Sequence, residues 1–134
     1  MSGVMGKDAR TRAGSPARAF VCVGAEETEY LRAGCGAVVV LLTAEFNNPA
    51  ALELIALLSA SFLVICPRIP RGVAFADWLS NVMDGLGFAR VSIVAETTFV
   101  TDVLRLAAED EARVHRVAVL AARSEIAEVS RFLE

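Results

Sequence analysis

The stretch Ala37-Val38-Val39-Val40-Leu41-Leu42 decides the fold class. It is short, uncharged and rich in β-branched residues, and it follows the turn-forming glycines Gly34 and Gly36. Such an uninterrupted apolar run is typical of a strand that is covered on both faces, as in a parallel sheet. Similar runs occur at residues 62–66 and 91–95, which predicts several buried parallel strands.

Helical patterns separate these strands. Asn48 followed by Pro49 predicts a helix start, because Asn caps the first amides and Pro suits the first helical position. The next helix has an apolar stripe at helical spacing, made of Phe75, Trp78, Leu79, Val82, Met83 and Leu86. Gly87 follows where a left-handed C-terminal cap is expected. A third helix is predicted from about Thr98 to Glu109.

Two short strand-like runs, residues 20–24 and 28–33, precede the first buried strand, and Glu26 and Glu27 separate them as in a hairpin. A last strand is predicted at Val117 to Ala121. Strands and helices that alternate in this way predict an α/β fold. We expect a mainly parallel sheet of about six strands, an N-terminal antiparallel hairpin, and helices on both faces.

The ends of the chain are less regular. Residues 1–18 mix Gly, Ser and Pro with basic residues and have no apolar periodicity, so we predict a disordered tail. Residues 19–134 are expected to form a single domain. Within it, Ser124 is expected to cap a terminal helix.

Composition argues against several classes of function. The chain has 13 Lys and Arg residues and 16 Asp and Glu residues, so it has no excess of basic charge. Because binding of nucleic acid depends on clustered basic charge, we expect no nucleic-acid partner. The apolar stretch Ala50 to Cys66 is too short for a spanning helix and contains Glu53, so we expect no membrane contact. Since residues 1–18 also lack a secretory pattern, a cytoplasmic location is expected.

The cysteines and the histidine give no sign of a metal or disulfide site. Cys22, Cys35 and Cys66 are an odd number without C-x-x-C spacing, and His115 is the only histidine. We therefore expect three buried thiols, no metal site and no cofactor. The turns after Leu42 and Val94 also lack the glycine patterns of nucleotide-binding loops.

Residues 20–123 resemble the α/β-hydrolase family in the order and spacing of several pieces. The pieces are Tyr30 to Gly34 with Val38 to Leu42, Ala76 to Leu79 with Leu86 to Val91, and Leu106 to Ala108 with Arg113 to Leu120. They are similar to that family's second and third strands, the helix before its nucleophile strand, and the helix and strand after it. The resemblance implies the N-terminal half of an α/β-hydrolase-type fold, because the sequence stops before the family's later strands.

The family's nucleophile elbow, G-x-S-x-G, corresponds to Ala95-Glu96-Thr97-Thr98-Phe99. Thr97 is therefore the positional candidate for a catalytic residue. The elbow glycines permit a strained turn against neighbouring backbone, and Phe99 in place of the second glycine would force that turn open. A second interpretation is that Thr97 and Thr98 only cap the helix that follows.

The other chemical motifs of the family are also altered. The family's His-Gly oxyanion segment corresponds to Thr43-Ala44-Glu45-Phe46, where Glu45 would place an anion near a site that stabilises one. In the loop after the fourth strand, Arg68 replaces the family's Asp. His115 precedes the last strand, at the edge opposite the carboxyl ends of the strands, so it is not expected to act as the catalytic base. Glu125 could replace the family's catalytic acid.

The altered motifs predict a non-catalytic protein that acts as a small-ligand-binding or assembly module. The pocket is expected at the carboxyl ends of the strands, with Glu45, Phe46, Arg68, Glu96, Thr98 and Phe99 as binding residues. The alternative is a weak or partner-dependent hydrolase of esters or C–C bonds that uses Thr97.

The predicted last strand also suggests partners. If Val117 to Ala121 forms the edge of the sheet, it could pair with another chain. We expect a homo-oligomer, such as a two-fold dimer, or a complementing chain that supplies the missing half of a truncated or split protein. A small molecule is a further candidate partner.

Overall fold

The structure, a computed structural model, describes residues 16–23, 26–44, 48–70, 72 and 74–120. The terminal helix expected after Ser124 lies outside the described residues, and so do Glu45, Phe46 and most of the expected tail. The first strand begins at Ala17, two residues before the boundary expected from the sequence.

The described chain contains six strands and three helices, which alternate after the first two strands. In order they are β1 (Ala17–Val23), β2 (Glu26–Ala33), β3 (Val38–Leu42), α1 (Pro49–Leu58), β4 (Leu63–Pro67), α2 (Phe75–Leu86), β5 (Val91–Glu96), a 3₁₀ turn (Thr97–Phe99), α3 (Val100–Glu109) and β6 (Val114–Leu120). The strands form one sheet in the order β1-β2-β4-β3-β5-β6.

The strand directions agree with the predicted fold class. β3 pairs in parallel with both β4 and β5, and β5 pairs in parallel with β6. β1 and β2 form the antiparallel hairpin, and β2 is also antiparallel to β4 on its other side. The prediction of a mainly parallel α/β sheet with an N-terminal hairpin is confirmed.

Helices cover both faces of this sheet. On one face α1 buries Leu54, Ile55 and Leu58 against alternate side chains of the central strands, such as Leu41 and Val64. On the other face α2 and α3 bury their apolar stripes against the remaining side chains of the same strands; the stripes contain Trp78, Leu79, Val82, Met83, Val103 and Leu106. Because side chains alternate between faces, the central strands are buried on both sides.

The helix ends follow the sequence signals closely. The Asn48 side chain accepts a hydrogen bond from the Ala51 N–H at 2.6 Å, and Pro49 is the first helical residue. At the end of α2, Gly87 adopts φ +81°, and the N–H groups of Gly87 and Phe88 bond back into the last turn. These bonds satisfy carbonyl groups that the helix leaves without intrahelical partners.

Gly34 is required at the turn that leads from β2 to β3. Its φ is +85°, and a Cβ at this position would lie 2.1 Å from the Phe62 carbonyl oxygen and 2.7 Å from that of Ser59. Both carbonyls belong to the connection between α1 and β4. A glycine therefore allows the hairpin to pack directly onto the central part of the sheet.

Two glycine substitutions separate backbone strain from steric contact. Gly87→Ala should lower the free energy of unfolding by about 1–2 kcal/mol, because an alanine at φ +81° is strained but meets no atom within 4 Å. Gly34→Ala should cost about 1–3 kcal/mol more, since its methyl group also collides with backbone. Urea unfolding followed by circular dichroism measures both; equal losses would contradict the close approach at Gly34.

Candidate functional site

The carboxyl ends of β3, β4 and β5 meet at one edge of the sheet. Val40 of β3 aligns with Ile65 of β4, and Leu42 aligns with Ala95 of β5. The residues that follow these strands therefore lie close together. In open α/β sheets this edge is where ligands bind.

Glu96, the last residue of β5, forms the main polar contact across this edge. Its Oε1 atom accepts a hydrogen bond from the Ala44 N–H at 2.7 Å, in the loop that follows β3. A carboxylate that accepts a backbone N–H makes a charge-assisted bond, which is stronger than a bond between neutral groups. The Glu96 side chain thereby joins the end of β5 to the loop after β3, and the Ala44 N–H is already hydrogen-bonded.

A second polar contact involves Thr43, the residue before Ala44. The buried Thr43 side chain is hydrogen-bonded to the thiol of Cys66, which is fully buried in β4. Burial raises the pKa of Cys66 from 9.0 to about 12, the Thr43 bond opposes this rise, and the Glu96 charge adds to it. The thiol is therefore protonated at neutral pH and cannot serve as a nucleophile.

Thr97 lies at the bend between β5 and α3, the position expected from the sequence. Thr97 to Phe99 form a 3₁₀ turn in which the Val100 N–H bonds to the Thr97 carbonyl. A 3₁₀ turn has ordinary right-handed backbone angles, whereas a nucleophile elbow is strained. The Thr97 hydroxyl is thus carried on an exposed, relaxed turn.

The capping interpretation of the two threonines is not supported by these contacts. α3 begins at Val100, and its N-cap residue is Phe99. Neither the 3₁₀ turn nor α3 has a side-chain cap bond at its start in the described residues. Thr97 and Thr98 are both exposed on the turn that precedes the helix.

Phe99 packs toward α2. Its ring stacks on Phe75 with centroids 5.9 Å apart and an angle of 20° between the ring planes. Phe75 in turn contacts Trp78 at 5.8 Å. These aromatic contacts account for a bulky residue where the family motif has its second glycine, because the opened turn directs the ring onto a neighbouring helix.

Arg68 follows β4, and its ion pair is with the hairpin. Its Nε atom lies 3.3 Å from Oε1 of Glu29, while Nε of Arg18 lies 2.6 Å from the other carboxylate oxygen. The Glu29 side chain is only 15% exposed and bridges the two arginines. The expected binding residues therefore separate into a Glu96 corner and an Arg68 cluster, and the sequence had not indicated Glu29.

His115 is exposed at the edge of the sheet opposite the carboxyl ends, as expected, beside Arg90 and Ser92. It lies within β6 and not before the last strand, because β6 begins at Val114, three residues earlier than expected. The expectation of three buried thiols is wrong, because Cys22 on β1 and Cys35 in the β2–β3 turn are exposed.

The described ranges contain neither a metal-binding cluster nor a membrane-spanning helix. Among them, no group of three or more His, Cys, Asp or Glu residues is placed to hold a metal ion. No helix in this part of the chain has the length and apolar character needed to cross a membrane.

Solved structures that share this architecture include α/β-hydrolase-fold enzymes. Cfl2 from Burkholderia cenocepacia is 20% identical, with a TM-score of 0.65 over 77% of this chain and 40% of that chain. Carboxylesterase CesB from Bacillus subtilis is 18% identical, with a TM-score of 0.67 over 85% and 47%. An epoxide hydrolase from Vigna radiata is 20% identical, with a TM-score of 0.68 over 80% and 39%.

These likenesses establish the fold. The chain has the N-terminal strands and helices of the α/β-hydrolase fold, and it spans less than half the length of each of these proteins. No protein-family model matches the sequence, and no curated protein sequence is significantly similar to it.

The thiol environments predict how the cysteines react. At pH 8, Cys22 and Cys35 should react with Ellman's reagent in the folded protein, whereas Cys66 should react only after denaturation. A Cys66→Ala variant should give the same count when folded and one thiol fewer when denatured. Rapid reaction of all three thiols in the folded protein would contradict the burial of Cys66.

Proposed function

We propose that this chain is a non-catalytic protein of the α/β-hydrolase fold that serves as a small-ligand-binding or assembly module. The bond between the Glu96 carboxylate and the Ala44 N–H carries the proposal. In hydrolases of this fold, the oxyanion hole combines the N–H of the residue after the nucleophile with an N–H from the loop after the third strand. In this chain a carboxylate already takes an N–H of that loop.

A carboxylate in this corner opposes acyl-transfer chemistry. Catalysis of that kind depends on donors directed at the point where negative charge develops in the transition state. Glu96 would repel that charge and compete for one of its donors. Loss of a single oxyanion donor typically lowers turnover by about 10²–10³-fold.

The surroundings of Thr97 support the same conclusion. Its turn is relaxed, its hydroxyl is exposed, and the only histidine of the chain is at the opposite edge of the sheet. In a serine hydrolase, removal of triad members costs about 10⁴–10⁶ in turnover. Thr97 therefore lacks both a base and a prepared site for the developing anion within the described chain.

The alternative function is weak or partner-dependent hydrolysis of an ester or a C–C bond through Thr97. Its support is positional, since Thr97 lies at the bend after β5, and fold neighbours include a carboxylesterase and a meta-cleavage product hydrolase. A complementing chain would have to supply the base and to displace Glu96 from Ala44.

Ester hydrolysis distinguishes the two functions. We expect p-nitrophenyl acetate to be hydrolysed no faster by the parent than by Thr97→Ala, because Thr97 has no base to remove its proton. Thr101→Ala is the matched control, since it removes the same hydroxyl from another exposed position, on α3. Turnover that disappears in Thr97→Ala and persists in Thr101→Ala would overturn the non-catalytic proposal.

The edge strand β6 supports an assembly role. In the described part of the chain β6 pairs with β5 alone, and its Val119 side chain is 42% exposed. An unpaired strand edge is a template for pairing with another chain. We propose a second copy of this chain as the partner, paired edge to edge about a two-fold axis.

Light scattering coupled to size exclusion tests this pairing. At tens of micromolar the parent should elute as a dimer, and Val119→Lys should elute as a monomer, because a charge at a strand edge blocks pairing. Leu104→Lys adds the same charge on exposed α3 and should leave the dimer intact. A monomeric parent would contradict the proposal.

A further inference from the structure

A pocket of about 310 Å³ lies at the edge of the sheet opposite the Glu96 corner, where β3, β5 and β6 begin. It is lined by Ala37, Val38, Arg90, Val91, Ser92 and His115, and the structure describes all six together with their chain neighbours. Its volume is at the lower end of the range of about 300–1,000 Å³ that is usual for small-molecule sites. The pocket therefore suits a ligand of few atoms.

The polar groups that line this pocket include no carboxylate. Arg90 precedes β5, Ser92 lies on β5 and His115 lies on β6, so the three approach the pocket from two paired strands. Arg90 and His115 are exposed, and neither forms an ion pair with a residue of the described chain. Arg113, by contrast, is paired with Asp84. The donors of the Arg90 guanidinium are therefore available to an anion.

Ser92 supplies an independent sign of a ligand. The residue is only 8% exposed, and the other residues of β5 from Val91 to Ala95 are apolar. Its hydroxyl has no hydrogen-bond partner in the described part of the chain. In that part, Trp78 Nε1 is the one unbonded side-chain atom that is fully shielded from solvent, so the Ser92 hydroxyl keeps accessible surface. Buried polar groups are nearly always bonded, and this one belongs to the wall of a pocket.

We infer that this pocket binds a small organic anion, a carboxylate with a compact apolar body. The carboxylate would accept hydrogen bonds from the Arg90 guanidinium, the Ser92 hydroxyl and the His115 imidazole. The apolar body would contact Val38 and Val91, which distinguishes such a ligand from an inorganic anion. This inference rests on the proposed ligand-binding role and assigns it to the edge of the sheet opposite Thr97.

Proton NMR gives a direct measurement at constant pH, because His115 is the only histidine of the chain and its ring protons give a single set of signals. Three probes of nearly the same shape differ in charge: benzoate is anionic, benzamide neutral and benzamidinium cationic. We expect a saturable shift of the His115 ring signals with benzoate in the millimolar range. Benzamide should bind about two- to fivefold more weakly, and benzamidinium more weakly still. Inorganic phosphate, which lacks an apolar body, should also bind more weakly than benzoate.

Substitutions in the wall test the donors. Arg90→Gln should weaken binding of benzoate about two- to fivefold and leave binding of benzamide unchanged. Ser92→Ala should weaken binding of benzoate without loss of stability, because an alanine among apolar neighbours leaves no buried hydroxyl unbonded. Arg105→Gln is the matched control, since it removes the same charge from an exposed position on α3, and it should change neither.

Four results would contradict the inference. Equal binding of benzoate and benzamide would leave only apolar contact, and tighter binding of phosphate would exclude an apolar body. An equal effect of Arg90→Gln and Arg105→Gln would indicate attraction by overall charge. The fourth is the lack of any saturable shift. Failure here is distinct from failure of the proposed function, because Thr97-dependent hydrolysis and dimer formation are measured separately.

Discussion

The burial of β3, β4 and β5 on both faces is the constraint on which the rest of the structure depends. Leu41, Ile65 and Ile93 are fully buried, and each such side chain contributes about 1.5–3 kcal/mol of apolar stabilisation relative to an exposed position. Central strands of this kind have no solvent-exposed side on which polar residues are tolerated. The polar side chains that could bind or react therefore lie at the strand ends, where the chain leaves the sheet.

At those ends, the polar groups satisfy one another. The Glu96 carboxylate bonds to the Ala44 N–H, and Thr43 bonds to the protonated thiol of Cys66. An active site needs groups that stay unpaired until substrate arrives or are directed at charge that develops only in the transition state. In the corner beside Thr97 the Glu96 carboxylate and the Ala44 N–H are already bonded to each other, which stabilises the edge and supports the proposed non-catalytic role.

A second polar cluster lies beside the hairpin. Glu29 pairs with Arg18 and Arg68, and these ion pairs join β1, β2 and the segment after β4. Proteins of 16–20% identity share this scaffold, which agrees with the view that function depends on side chains placed on a fold.

Sequence alone determined the features that depend on local pattern. The apolar runs predicted the buried strands, Asn48 and Pro49 predicted the start of α1, and Gly87 predicted the end of α2, because burial periodicity and capping act within a few residues. The tertiary structure alone decided that β2 lies beside β4, that Glu96 reaches Ala44, and that Arg68 reaches Glu29. These partners are 52 and 39 residues apart, and a hydrogen bond across such a distance leaves no periodic signal in the chain.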